Sequence, residues 1–554
     1  MRRRWRMEPT FNLVVGLAGP HGSGCSTLAA ELVSVANDWP GCVAFNIKVA
    51  DLISFWAERL LGLVLRPPAE VHARRQHLQN AGTRLRRVDE ELVAKLISTR
   101  ITLEADELGR SLSKKRPVNP PATLIFVVDS LKNVNDVLAL RRIFRDEFLF
   151  AFVSADRETR WHRIKEYQSW TDLDRPKFEQ LDAVDRDEKG MRPSVRSAGQ
   201  ETGKLAPYAD YYVVNDHNRQ DLQESARRIV DLFLGGSAYS QPTADERRMH
   251  LAFSASHGSA CLSRHVGAAL FNSEGDIIGL GHNDVPKAGG GLYSVEDGDN
   301  DNRCYLVGDS RCTNDTLKSQ RFARLADSIC RATKVKRDDV VRKTIGKSEL
   351  QSATEYCRAV HAEMSALMSA ARSSVGSTIG STMYVTTYPC HNCAKHILSA
   401  GVKRVVYVEP YPKSLAADLH SDGLSVDSPT HEETRKTVLA PYQGVAPGRF
   451  HDLFAQHGER KDKDGRAIRK SKEQRAAMPS LSSRVYRRTR SMERFAFPGS
   501  DPITYEEFKA SNEVWMLCQN RASPAKRGNR SGKKMRTSGK AGRARTKRGS
   551  ERHP

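Results

Sequence analysis

Between Phe11 and about Ser240, short β-rich apolar runs alternate with longer stretches of helical periodicity. Asn12–Ala18, Thr123–Val128, Phe148–Val153 and Tyr211–Val214 read as strands, and Glu90–Leu112 and Gln220–Leu234 read as helices. That alternation predicts an α/β fold with a parallel, doubly wound sheet. A loop holding Gly235, Gly236, Ser237, Ser240 and Pro242 then breaks the pattern and marks a boundary.

A second α/β unit follows. Val266–Phe271 and Asp276–Gly281 read as a hairpin around Asn272–Gly275. After a long polar region from Lys287 to Glu355 come a helix, a strand (Thr382–Thr387), a helix (Cys390–Ala400) and a strand (Arg404–Glu409). Beyond about Phe454 the chain is highly charged, and from Ser523 it is a Lys/Arg/Gly/Ser mixture without apolar periodicity, the composition of disorder. The expected organisation is a basic leader (1–10), a nucleotide-binding domain (11–240), a second domain (245–456), a charged extension (457–520) and a basic tail (521–554).

The charge follows these divisions. The 554 residues carry 88 Lys+Arg against 66 Asp+Glu, a net of +22. Arg521 to Pro554 has 13 basic residues and one acid, and Glu459 to Arg494 has 13 against 5, so the excess lies mostly behind the two domains. Such a tail suits weak, salt-sensitive contact with polyanions. No apolar run approaches the ~20 residues that span a bilayer, so no membrane partner is expected. Met1 to Gly19 imitates a secretory signal, but Glu8 and Pro9 interrupt it. Ten irregularly spaced cysteines in a long chain point to a reducing cytoplasm and not to a disulfide scaffold.

Gly19-Pro20-His21-Gly22-Ser23-Gly24-Cys25-Ser26 follows the first strand and precedes a helix, the context of a phosphate-binding P-loop. Every position fits except the lysine, whose place Cys25 takes. Backbone N–H groups of Gly22, Ser23, Gly24, Cys25 and Ser26 can cradle phosphate oxygens, Ser26 can meet Mg²⁺, and Asp129 ends a strand where a second magnesium-side carboxylate would lie. The arginines of Asp156-Arg157-Glu158-Thr159-Arg160-x-x-Arg163 resemble the lid entry of nucleoside and nucleotide kinases, as do Gly199-Gln200, Ala209-Asp210 and Asn215. Phosphoryl transfer leans on the missing lysine, so the expectation is a nucleotide- or phosphate-sensing module without kinase chemistry.

The strongest signal is His361-Ala362-Glu363 followed by Pro389-Cys390-His391-Asn392-Cys393. This His-x-Glu and Pro-Cys-x-x-Cys order is the signature of zinc deaminases. His361, Cys390 and Cys393 supply three ligands of a tetrahedral Zn²⁺ and leave the fourth position to water. At the first turn of a helix both sulfurs point the same way, and the helix N-terminus favours thiolates. Glu363 is close enough to move protons without being a ligand. The competing reading is a closed structural zinc with His391 or Cys357 as fourth ligand, which would have no use for Glu363.

The flanks resemble the deoxycytidylate (dCMP) deaminases. The resemblance rests on Cys261-x-x-Arg264-x-Val266-Gly267-Ala268, Gly281-x-Asn283-Asp284-x-Pro286, Thr386-Thr387-Tyr388-Pro389-Cys390 and Gly401-Val402-x-Arg404-Val405-Val406-Tyr407. It implies substrate contacts by Asn283, Thr387, Tyr388 and Pro389. Ser365 stands where relatives carry Asn, and the insert before His361, with Cys304, Cys312 and Cys330, is a second departure. A degenerate P-loop kinase-like domain joined to such a deaminase resembles the anti-phage dCTP deaminase family. Glu409-Pro410-Tyr411-Pro412-Lys413-Ser414-Leu415 and Pro441-Tyr442-x-Gly444-Val445-x-Pro447-x-Arg449-Phe450 add to that likeness. The resemblance implies deamination of dCTP or dCMP that depletes the deoxycytidine pool of a phage, control by a nucleotide or RNA, and a homo-oligomer. Two alternatives stay open: a housekeeping dCMP deaminase, and a deaminase of RNA or single-stranded DNA.

Overall fold

The computed structural model describes residues 11–62, 71–114, 123–186, 198–216, 218–235, 241–333, 356–373, 376–411, 414–426, 435–454 and 461–467. The expected leader, the basic tail and nearly all of the charged extension lie outside them. The described residues fall in one compact unit that holds two six-stranded sheets.

The first sheet is built from β1 (Phe11–Ala18), β2 (Cys42–Lys48), β3 (Thr123–Asp129), β4 (Phe148–Ser154) and β5 (Tyr211–Val214), all parallel, in the order β5-β4-β1-β3-β2. Its helices are α1 (Cys25–Asn37), α2 (Val49–Leu61), α3 (Val71–Val88), α4 (Leu92–Lys114), α5 (Val134–Phe144), α6 (Arg157–Gln168), α7 (Arg175–Arg186) and α8 (Arg219–Gly235). Leu13, Val15 and Leu17 of β1 pack with Leu28 and Leu32 of α1 and with Ile125, Val127, Leu149 and Val153 of the neighbouring strands. Because β1 lies between β3 and β4, the chain reverses its direction of travel at β1. The loop after β1 therefore opens at the crevice where α/β sheets bind ligands.

After α9 (Ala244–Ser256) comes the second sheet: β6 (Gly267–Phe271), β7 (Ile277–His282), β8 (Thr382–Thr387), β9 (Arg404–Glu409), β10 (Leu424–Val426) and β11 (Thr437–Pro441). Its order is β10-β11-β9-β8-β6-β7, with β6 antiparallel to both neighbours and the other pairs parallel. With it go α10 (Thr313–Thr333), α11 (Ala362–Ser373), α12 (His391–Ser399) and two short helices, α13 (Ala416–Leu419) and α14 (Phe450–Phe454).

The structure differs from the sequence reading in three places. β2 replaces an unassigned stretch, and its Phe45 stacks on Phe126 at 5.4 Å. The polar region after Lys287 contains the 21-residue helix α10. The last strand, β12 (Gly444–Val445), leaves the second sheet and adds antiparallel to β5, so the end of residues 245–456 completes the first sheet. Val445 is fully buried there, and Asp210, ahead of β5, is gripped by Arg141 at 3.0 Å and Arg449 at 3.4 Å.

Candidate zinc centre and active site

Two helix N-termini meet at the carboxyl end of β8. Cys390 is the N-cap of α12, which places Cys393 in its first turn. His361 precedes α11, and its carbonyl accepts the N–H of Ser365 at 2.9 Å. An isolated bridge between Val360 and Asp284 fixes that approach. α11 can lie so close to β7 because Gly281 faces it: a Cβ there would stand 2.3 Å from the Ala366 nitrogen and 2.6 Å from the Ala362 oxygen. On the helix side Ala362, Ala366 and Ala370, spaced four apart, are all small and buried.

The result is a compact donor set. Nδ1 of His361 lies 3.4 Å from both Cys390 Sγ and Cys393 Sγ, and one ligand atom from each residue falls within 4.8 Å of the others. Both cysteines are buried. The Cys390 thiol is pulled down to about 4, first by its hydrogen bond with Cys393 and then by His361. His361 is pushed up to about 11 by hydrogen bonds to Cys357 and Cys390. One imidazole with two sulfurs is a donor set that suits Zn²⁺. The set fits the metal.

Glu363 lies in the first turn of α11, 4% exposed, and burial pushes its carboxyl up. It shares a hydrogen bond with Cys393, so it adjoins the donors. Of the residues expected to touch substrate, Thr387 ends β8 and is buried, and the Tyr388 ring packs edge-on against Tyr407 at 4.8 Å. The Pro389 carbonyl accepts Ser414 Oγ at 2.7 Å. Asn283 makes two hydrogen bonds within the chain. Its Oδ1 accepts the N–H of Val266 and its Nδ2 donates to the carbonyl of Arg264, both at 2.7 Å. It therefore shapes the segment that carries Arg264, whose guanidinium is half-exposed and pairs with Glu409 at 3.0 Å.

Three further neighbours surround the donors, of which the sequence had weighed only Cys357, as the fourth ligand of a closed zinc site. Cys357 hydrogen-bonds His361 yet stays outside the three-donor cluster. Ser414 anchors Pro389, and Tyr411 feels the charges of both Cys390 and Arg264. Tyr411 and Ser414 lie in the Glu409–Leu415 run, which was their only signal.

A second cluster surrounds the glycine loop. Gly24, with φ +97°, caps α1 without any side-chain hydrogen bond. A Cβ on Gly24 would stand 2.2 Å from Asn215 Nδ2, which donates to the Ser23 carbonyl at 2.8 Å. Ser26 hydrogen-bonds Asp129, whose carboxyl burial pushes up. Gly19, Gly22, Ser23, Gly24, Cys25 and Ser26 are thus brought together with Asp129, whereas His361 and Glu363 belong to the other cluster.

Residues 242–409 match the cytidine and deoxycytidylate deaminase zinc-binding region. This part of the chain carries a dCMP/cytidine-type deaminase zinc-binding domain. Human deoxycytidylate deaminase is 27% identical over 160 residues, which are 29% of this chain and 61% of that one. The chain thus spans less than two thirds of the length of that relative. ComE operon protein 2 of Bacillus subtilis (strain 168) is 45% identical over 58 residues, covering 10% of this chain and 30% of its own. Among solved structures, the dCMP deaminase of cyanophage S-TIM5 in complex with dCMP and dUMP aligns at 22% identity, covering 33% of this chain and 94% of its own, with a TM-score of 0.21. Shikimate kinase from Acinetobacter baumannii aligns at 13% identity over 41% of this chain and 94% of its own, with a TM-score of 0.18. No helix among the described residues is long and apolar enough to cross a membrane.

Proposed function

We propose that the chain is a zinc-dependent hydrolase that converts deoxycytidine nucleotides, dCMP or dCTP, into the deoxyuridine nucleotides and ammonia. The observation that carries this reading is the convergence of His361, Cys390 and Cys393 beside the buried carboxyl of Glu363. Zinc held by those three residues supplies Lewis-acid activation of water at neutral pH. Glu363 takes the proton that water releases as its oxygen bonds to C4 of cytosine, and delivers it to ring nitrogen N3. A second proton passes through the same carboxyl to the exocyclic amino group, the C4–N bond breaks, and ammonia leaves. Burial suits Glu363 to this, because a carboxyl held above its ordinary range accepts and returns protons readily. Thr387, Tyr388 and Pro389 line the ring pocket. Asn283 holds Arg264 at its edge, where a half-exposed guanidinium suits a nucleotide phosphate.

The N-terminal half, residues 11–240, binds a nucleotide at Gly19–Ser26, with Mg²⁺ at Ser26 and Asp129, and regulates the deaminase at residues 245–456. β12 and Asn215 support this, since β5 carries the deaminase half's last strand along its edge and the loop's anchor just beyond its end. The biological role is depletion of deoxycytidine nucleotides during phage infection by a cytoplasmic homo-oligomer, with a nucleotide or RNA as the control. The basic tail contributes only weak polyanion contact. In infected cells making the wild-type chain, dCTP and dCMP should fall and deoxyuridine nucleotides should rise, with no change in a Glu363→Ala strain. Unchanged pools in both would refute the defence role. Side-by-side turnover of dCMP, dCTP, CMP and a cytosine oligonucleotide separates the substrate classes.

A further inference from the structure

The glycine loop lacks its usual lysine, and neighbouring elements surround it with cations. Burial pushes the Cys25 thiol up to about 12, so this side chain is neutral, and its sulfur turns to Ser23 Oγ at 3.6 Å. The ammonium of Lys132, three residues past the end of β3, donates to the Gly19 carbonyl at 2.9 Å and to Asp185 Oδ2 at 2.8 Å. Its side chain is 23% exposed, within reach of a ligand. Arg160 of α6 donates to the His21 carbonyl at 3.1 Å and pairs with Asp182 of α7. Arg75 of α3 donates to His21 Nδ1.

His21 identifies what this surround is for. Its imidazole is held neutral, first by burial and then by Arg75, Lys132 and Arg160. A neutral ring whose Nδ1 accepts from Arg75 carries its proton on Nε2. That Nε2 is buried without a hydrogen-bond partner, in a residue only 7% exposed. A buried donor with no acceptor is costly unless something supplies one. Beside it, α1 begins without a side-chain cap, which leaves its first N–H groups to an anion.

We propose that Lys132 replaces the absent loop lysine, and that the phosphate chain of a nucleoside di- or triphosphate seats between Lys132, His21 Nε2 and the first turn of α1. The incoming phosphate draws the Lys132 ammonium away from Asp185. This rests on the reading of Gly19–Ser26 as a phosphate loop and adds the group that supplies its charge.

The test is calorimetric binding of inorganic tripolyphosphate to the full chain, at a salt concentration high enough to silence the basic tail. Wild type should bind and Gly24→Ala should not. Lys132→Ala should weaken binding roughly 10- to 100-fold, the loss expected for one charge-assisted phosphate contact, and Lys132→Arg should restore most of it. Asp185→Asn should bind more tightly than wild type. Equal binding by wild type and Lys132→Ala, with loss in Gly24→Ala, would overturn the role of Lys132 and leave the loop reading standing. Equal binding by wild type and Gly24→Ala, or none by wild type, would overturn both. Zinc content and melting temperature check folding; if Lys132→Ala does not fold, Lys132→Gln against Lys132→Arg answers the same question.

Discussion

The carboxylate of Glu246, in the first turn of α9, pairs with Arg228 of α8 at 2.5 Å while its other oxygen accepts the N–H of Val445 in β12 at 3.0 Å. It also caps its own helix by accepting the N–H of Thr243. One fully buried carboxylate thus ties α8, α9 and β12 together where the two sheets are joined. Glu246→Ala would leave Arg228 without its carboxylate partner and two backbone N–H groups without their acceptor. The expected loss is about 3 kcal/mol, the lower end for breaking a buried pair, because a third of the Arg228 side chain stays exposed. Chemical denaturation of the variant against wild type measures it, and a change below about 0.5 kcal/mol would show that the joint does not depend on this carboxylate.

The metal set makes a stoichiometric prediction. Purified protein should hold one zinc at His361, Cys390 and Cys393, and Cys393→Ala should lose it together with activity. Elemental analysis of both proteins is the check. Retention of a full equivalent by Cys393→Ala would place the metal elsewhere.

The Arg160–Asp182 pair gives the N-terminal half an acid limit. Burial raises the Asp182 carboxyl, but its hydrogen bonds and charge contacts with Arg160 and Arg186 outweigh this and hold it below its ordinary value of 3.8. A carboxyl with a depressed folded pKa contributes stability above its unfolded pKa, and that contribution fades as pH falls below it. Asp182→Asn should therefore lower the melting temperature at pH 7 and lower it less at pH 3. An equal drop at both would assign its effect to packing.

The tail is expected to be separable from catalysis. Removal of residues 521–554 should leave mononucleotide deamination unchanged while reducing retention on heparin, since that segment carries 13 basic residues and a single acid. Loss of turnover would make it part of the enzyme.

What the sequence revealed depended on how local each signal is. β8, β9 and the Cys-x-x-Cys helix between them were legible almost to the residue, because a β-branched run, a Pro-Cys helix entry and a Gly401 turn follow one another directly. β2 was missed because Asn46 and Lys48 interrupt its apolar run, and its stability comes from β3 far along the chain. β12 has two residues and no periodicity to read. Likewise, the contact of Lys132 with Gly19 spans 113 positions, and no motif announces it. The hydrogen bond of Asn283 to Arg264 is a tertiary fact, whereas the His361, Cys390 and Cys393 cluster was legible because a zinc-type donor set fixes both residue type and spacing.

Deaminase function is tested most directly by ammonia release from dCMP and dCTP by wild type and Glu363→Ala, measured with the zinc content of each. The expected result is turnover by wild type on at least one of the two, with a loss of about 10²- to 10⁴-fold in the variant at unchanged zinc. Undiminished ammonia release by Glu363→Ala, or turnover by wild type on a cytosine oligonucleotide alone, would contradict it.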